Sequence, residues 1–167
     1  MAANAIADLH DTTPAIVVDV VVPCPPDRAF HYFTRDIGRW WPLKSHSLGM
    51  EHAVDVRFET GEGGRLFEVA RDGRERSWGT VTTWEPGRRV AFTWHLDRDA
   101  STAQHVDVTF AQASDGTRVT LTHGGWHRRE DGASARESYV GGWQFVLRER
   151  FGGYCVEAVD NRTKNAR

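Results

Sequence analysis

The sequence predicts an α+β fold in which a curved seven-stranded antiparallel sheet wraps a long C-terminal helix, with two short helices after the first strand. Three observations carry this. Residues 54–122 hold successive segments in which apolar and polar residues alternate, joined by short turns rich in Gly, Asp and Pro. Residues 16–22, IVVDVVV, form one more β-branched run ahead of them. Residues 134–159 carry an apolar stripe at helical spacing, the only long amphipathic element available to cover a sheet.

The stripe is wide. With Leu147 at its centre and about 100° per residue, Val140, Trp143, Phe151, Tyr154 and Ala158 fall within about 40°, and Val146 and Cys155 flank them. Gly141-Gly142 and Gly152-Gly153 interrupt it, each glycine costing about 1 kcal/mol relative to alanine, so the helix is expected to bend or to press closely on a neighbour. Arg150 lies about 60° from the centre. It either snorkels to solvent or faces inward, where it requires a carboxylate such as Glu68 or that of a ligand.

Taken in order, residues 16–22 suit a strand buried on most of both faces. Pro25-Pro26 and Asp27 fit the first turn of a short helix whose buried face is Ala29, Phe30 and Phe33. Thr34 is a candidate cap for a second short helix carrying Ile37, Trp40 and Trp41, stopped by Pro42. Residues 43–53 read as loop. Val54 to Glu59 and Arg65 to Ala70 form a hairpin across the glycines at 61–64. In residues 76–85 one face carries Trp78, Thr80, Thr82 and Trp84; in residues 89–96 it carries Val90, Phe92, Trp94 and Leu96. Val106, Val108 and Phe110 alternate in the next strand, and Asp115-Gly116 turns it into residues 117–122.

One domain accounts for 167 residues, read as a disordered leader at 1–14, a folded unit at 15–160 and a polar tail at 161–167. A net charge of -2, with 40% hydrophobic and 26% charged residues, is that of an ordinary globular chain. No basic block suggests nucleic acid, and no signal peptide or run of 18 apolar residues suggests membrane insertion, so the expected location is cytoplasmic. Two widely spaced cysteines without a CxxC are expected to stay reduced.

The order of elements resembles the START-like, helix-grip superfamily, also called SRPBCC. Within it the chain is similar to the group related to the C-terminal domain of the activator of heat-shock-protein ATPase. The matching residues are the Pro-rich helix start and Trp40-Trp41-Pro42, the Gly61-to-Gly64 hairpin, Gly79-Thr80-Val81 leading to Trp84-Glu85-Pro86-Gly87, Phe92-Thr93-Trp94, Val119 to His123, and Gly142-Trp143. The resemblance spans roughly Pro14 to Ala158 and implies the helix-grip fold. It implies function only broadly, since members include cochaperones, ligand carriers and cyclase or aromatase enzymes.

If the strand faces are as assigned, Phe58, Phe67, Trp78, Trp94, Phe110 and Trp143 point toward the helix and line a cavity, with His123, Tyr139 and Arg150 as the polar groups that orient a ligand. His123, at a strand end near the mouth, is a candidate for titration near neutrality. No HxH or HExxH pattern supports a metal, no GxSxG supports a nucleophile and no phosphate loop follows the glycines, so no metal and no cofactor are expected. Three readings stay open: a binder of a small apolar or aromatic molecule, a cyclase/aromatase-like enzyme using the same space, and a cochaperone-like module with a chaperone partner. A connected internal volume of about 300 Å³ or more favours the first two.

Overall fold

In the computed structural model, which describes residues 13–167, the seven strands lie in the order β1-β7-β6-β5-β4-β3-β2, every neighbouring pair antiparallel. They are β1 (Ile16–Val22), β2 (Ala53–Phe58), β3 (Arg65–Ala70), β4 (Glu75–Glu85), β5 (Arg89–Trp94), β6 (Gln104–Ala113) and β7 (Gly116–Gly124). The leader expected at 1–14 falls almost wholly outside the described residues. Strands 2 to 7 follow one another as a meander because each connection is short, and β1 closes on β7.

Register places the large inward residues side by side. Val106 is opposite His123, Val108 opposite Leu121 and Phe110 opposite Val119, while Phe92 is opposite Val106 and Trp94 opposite Gln104. Ile16 and Val18 extend these rows from β1. The outer face of β1 is open, with Val17 64% and Val21 43% exposed. A strand buried on most of both faces is the expectation from sequence, but β1 is an edge strand whose outer side no helix among the described residues covers.

Three bulges correct the strand faces read from simple alternation: one in β2 between Ala53 and Asp55, which leaves Val54 exposed, and two involving β4. One interrupts the pairing of β3 with β4 at Leu66/Phe67, the other that of β4 with β5 between Val81 and Thr83. Each extra residue exchanges inward for outward, so Trp78 and Val81 are buried whereas Thr80 and Thr82 are exposed. Gly79 marks the tightest approach, since a Cβ there would lie 1.7 Å from the Thr93 carbonyl oxygen.

Helices α1 (Pro26–Thr34) and α2 (Ile37–Trp40) close one end of the curved sheet. Thr34 does not cap α2: its hydroxyl donates to the Phe30 carbonyl one turn back, and Asp36 occupies the cap position. The C-terminal helix is one continuous rod in three parts: α3 (Gly132–Gln144), a π-helical segment (Phe145–Phe151) and α4 (Gly152–Asn165), which carries on through most of the expected polar tail. In the middle part the Gly152 N–H donates to the Leu147 carbonyl five residues back. That wider bonding lowers the rotation per residue to roughly 80°. Trp143, Val146, Leu147, Phe151 and Cys155 thereby form the buried seam. Gly152 lets the rod press on β1, where a Cβ would touch Val20 at 3.4 Å. Cys24 and Cys155 are both buried and free, and the interaction between their thiols holds the Cys24 pKa below its ordinary value and raises that of Cys155.

Candidate ligand-binding site

The aromatic side chains between sheet and helix divide into two groups. At the α1 end, Phe33 packs against Phe58, Phe110 and Phe151 with ring centroids 5.3 to 6.3 Å apart, and Phe30 and Phe92 complete a solid block. At the α3 end, Trp94 lies 6.2 Å from Trp41, 5.6 Å from Trp78 and 5.3 Å from Trp143. The second group borders an open, mostly apolar pocket of about 180 Å³, whose walls are Trp41, Trp94, Leu96, Tyr139, Gly142, Trp143 and Val146, with His46 at the rim.

Size alone would make six buried indoles awkward, but each finds an acceptor for its N–H. Trp40 donates to the Tyr32 carbonyl and Trp41 to the His46 carbonyl; Trp126 donates to the His123 carbonyl. Trp78 donates to Glu68 at 2.7 Å, Trp94 to the Tyr139 hydroxyl oxygen at 3.0 Å and Trp143 to His123 Nδ1 at 2.9 Å. These bonds fix the ring planes that shape the pocket.

The pocket's roof is the segment between Leu43 and Gly49, and its anchor is Glu68. This carboxylate has no exposed surface and accepts from the backbone N–H groups of Leu48 (2.6 Å) and Gly49 (2.9 Å) as well as from Trp78. The roof also places His46, which alternation in the strands could not reveal. Its ring stacks on Phe145 at 5.3 Å and its Nδ1 pairs with the Ser45 hydroxyl at 2.7 Å, while partial burial lowers its pKa.

Of the residues singled out from sequence, Trp94, Tyr139 and Trp143 line this pocket, and Trp78 and His123 stand directly behind its wall. Phe58 and Phe110 belong to the solid block instead. Phe67 faces the other side of the sheet, under the Arg65 guanidinium at 4.2 Å, because β3 alternates regularly there and its neighbours Leu66 and Glu68, paired with Phe58 and Val56 of β2, are the inward residues. Arg150 is exposed and its Nε donates to the Trp40 carbonyl; π-winding turns it further from the seam than an α-helix would. His123 does not sit at a mouth. It is fully buried, and burial chiefly, with His105 and Arg129 adding, pushes its pKa down to about 3.

A connected internal volume of about 300 Å³ or more favours a binder or an enzyme and its absence an interaction module; the aromatic pocket falls short of that volume at about 180 Å³ and opens to the surface. Among the described residues no group of three or more His, Cys, Asp or Glu is placed to hold a metal, and no helix is long and apolar enough to cross a membrane.

A family model described as activator of Hsp90 ATPase homolog 1-like protein matches residues 23–154. The chain belongs to this family. Solved structures of similar fold include protein MLL2253 from Mesorhizobium loti, 20% identical with a TM-score of 0.61, covering 86% of this chain and 97% of that one. Another is an AHSA1-like protein from Aeromonas hydrophila, 23% identical with a TM-score of 0.60 and coverage of 87% and 94%. The anthrahydroquino-gamma-pyrone synthase Txn09 is 30% identical, with a TM-score of 0.58 and coverage of 84% and 96%. No curated protein sequence matches the chain.

Proposed function

We propose that this chain is a cytoplasmic protein that binds a flat aromatic small molecule in the pocket between β5 and the C-terminal helix. The observation that carries the reading is the convergence of Trp41, Trp94 and Trp143, their centroids 5.3 to 6.2 Å apart, around an apolar opening that Gly142 leaves clear. Indole faces and edges suit a planar ring, and the Tyr139 hydroxyl gives it one polar contact. The likeness to a synthase named for a polycyclic aromatic product supports the same class of ligand. The test is a titration with neutral and acidic anthraquinones. Quenching of tryptophan fluorescence with a rise in melting temperature supports the proposal; a flat response to every polycyclic aromatic probe rejects it.

A second reading, an enzyme acting on such a molecule, has one observation in its favour. The Tyr139 oxygen already accepts from Trp94, so its own proton is free to be donated to a carbonyl or enolate oxygen in the pocket. His123 takes no part, being neutral and enclosed. Replacement Tyr139→Phe then removes turnover while leaving ring binding within a few-fold; equal turnover in the variant counts against this reading.

A further inference from the structure

The wall formed by Trp94, Leu96 and Tyr139 has a second side. Beyond it lies a polar cleft of about 470 Å³, lined by these three residues together with Arg98, Arg129, Asp131, His95 and Ser138 among others. Two recesses that share one wall can hold two ends of one molecule. Their chemistry differs, one being apolar and the other carrying two guanidinium groups against one carboxylate.

The cationic side is built rather than incidental. Arg129, its side chain only 10% exposed, forms a two-pronged pair with Asp131, Nε to Oδ1 and Nη2 to Oδ2 both at 2.8 Å. This pair and the nearby Tyr139 oxygen keep the guanidinium firmly protonated. Arg98 approaches the same Asp131 carboxylate at 3.7 Å, so one positive charge at the cleft is left uncompensated by its lining groups. His95 adds a ring Nδ1 that is buried and has no hydrogen-bond partner among the described residues. The chain following β5 is also held in an unusual conformation, Leu96 at φ 45° and Asp97 at φ 62°, a region that residues with side chains seldom adopt and that is retained where geometry matters.

We infer that the ligand is an aromatic acid, its planar ring seated among Trp41, Trp94 and Trp143 and its anionic group reaching past Tyr139 to Arg129 and Arg98. This inference rests on the aromatic-pocket reading and adds the class of ligand. A monoanion is the fit, because a single surplus charge is on offer, and a carboxylate or enolate can accept from guanidinium, imidazole and Tyr139 hydroxyl donors.

The test compares anthraquinone-2-carboxylate with anthraquinone-2-carboxamide, which share the ring and differ in charge, by calorimetry on the full chain at low salt. The acid is expected to bind about ten-fold more tightly than the amide, and added salt should narrow the gap. Both Arg129→Gln and Arg98→Gln should erode that preference, weakening the acid several-fold more than the amide. Arg98 is the variant that keeps the test sound if Arg129→Gln fails to fold, because its side chain is 54% exposed. Equal affinity for acid and amide overturns this inference while the aromatic pocket stands. An acid preference undiminished in Arg98→Gln and in a folded Arg129→Gln also overturns it, and binding of neither probe removes both readings together.

Discussion

The indole Nε1 of Trp143 donates to Nδ1 of His123 across 2.9 Å, tying the C-terminal helix to the inner face of β7 at a histidine with no exposed surface. Because Nδ1 accepts, the ring's one proton lies on Nε2, directed at Gln104 Oε1 at 3.4 Å. The neutral tautomer is therefore part of the packing. An unfolded chain protonates this ring near its ordinary value of 6.5, whereas the folded chain does so only near 3. The folded state binds fewer protons in between, so stability is complete above 6.5 and falls as pH drops toward 3, by up to about 1.4 kcal/mol per pH unit. Denaturant unfolding between about pH 6 and 4 should show this slope in the native protein and a shallower one in His123→Gln. Parallel slopes would mean that His123 already carries a proton when folded.

Glu68 connects the roof of the pocket to the sheet. Replacing it with Gln substitutes a donor for one acceptor facing Leu48 N–H, Gly49 N–H and Trp78 Nε1–H. A loss of about 2 to 4 kcal/mol is expected, with early hydrogen exchange at the Leu48 and Gly49 amides. A variant as stable as the native chain, with both amides still protected, would show that the roof holds without this anchor.

The helix glycines are not equivalent. A Cβ at Gly141 or Gly153 meets nothing within 4 Å, so alanine at either should stabilise by about 0.5 to 1 kcal/mol through helix propensity alone. At Gly132 the same atom would lie 2.0 Å from the Trp126 carbonyl oxygen, and alanine should destabilise. Thermal unfolding of the three variants reads the contrast. Destabilisation by Gly141→Ala would indicate that flexibility before the π segment is required.

Gly142 differs from its neighbour because it borders the pocket, its nearest contact for a Cβ being the His46 ring at 4.0 Å. Gly142→Leu should fill the opening and weaken binding of an anthraquinone by ten-fold or more while the fold keeps its stability. Arg150→Ala, in contrast, removes an exposed side chain with one bond to a backbone carbonyl and should leave affinity unchanged. The reverse pattern would move the site to the other side of the helix.

Much of this fold is visible in alternation and turn chemistry: the meander of six strands, the two short helices and the covering role of the last helix all follow from them. What alternation hides is any feature that changes its period. The bulges at Leu66/Phe67 and between Val81 and Thr83 reversed the assignments of Thr80 and Thr82, and the π segment moved Arg150. Glu68 resembles a solvent-facing strand residue until its three donors are seen, two of which come from a loop nearly twenty residues earlier. His46 lies in that loop and carried no periodic signal. Trp94, Tyr139 and Trp143 were legible because their spacing on strand and helix is regular on both sides of the pocket.

The most direct measurement is an NMR titration with anthraquinone-2-carboxylate that follows the seven indole N–H resonances, since each tryptophan reports from a known position. Binding in the proposed pocket shifts Trp41, Trp94 and Trp143 most, and leaves Trp84, beside Phe30 and Phe58, unchanged. Shifts centred on Trp84, or none at saturating probe, would contradict it.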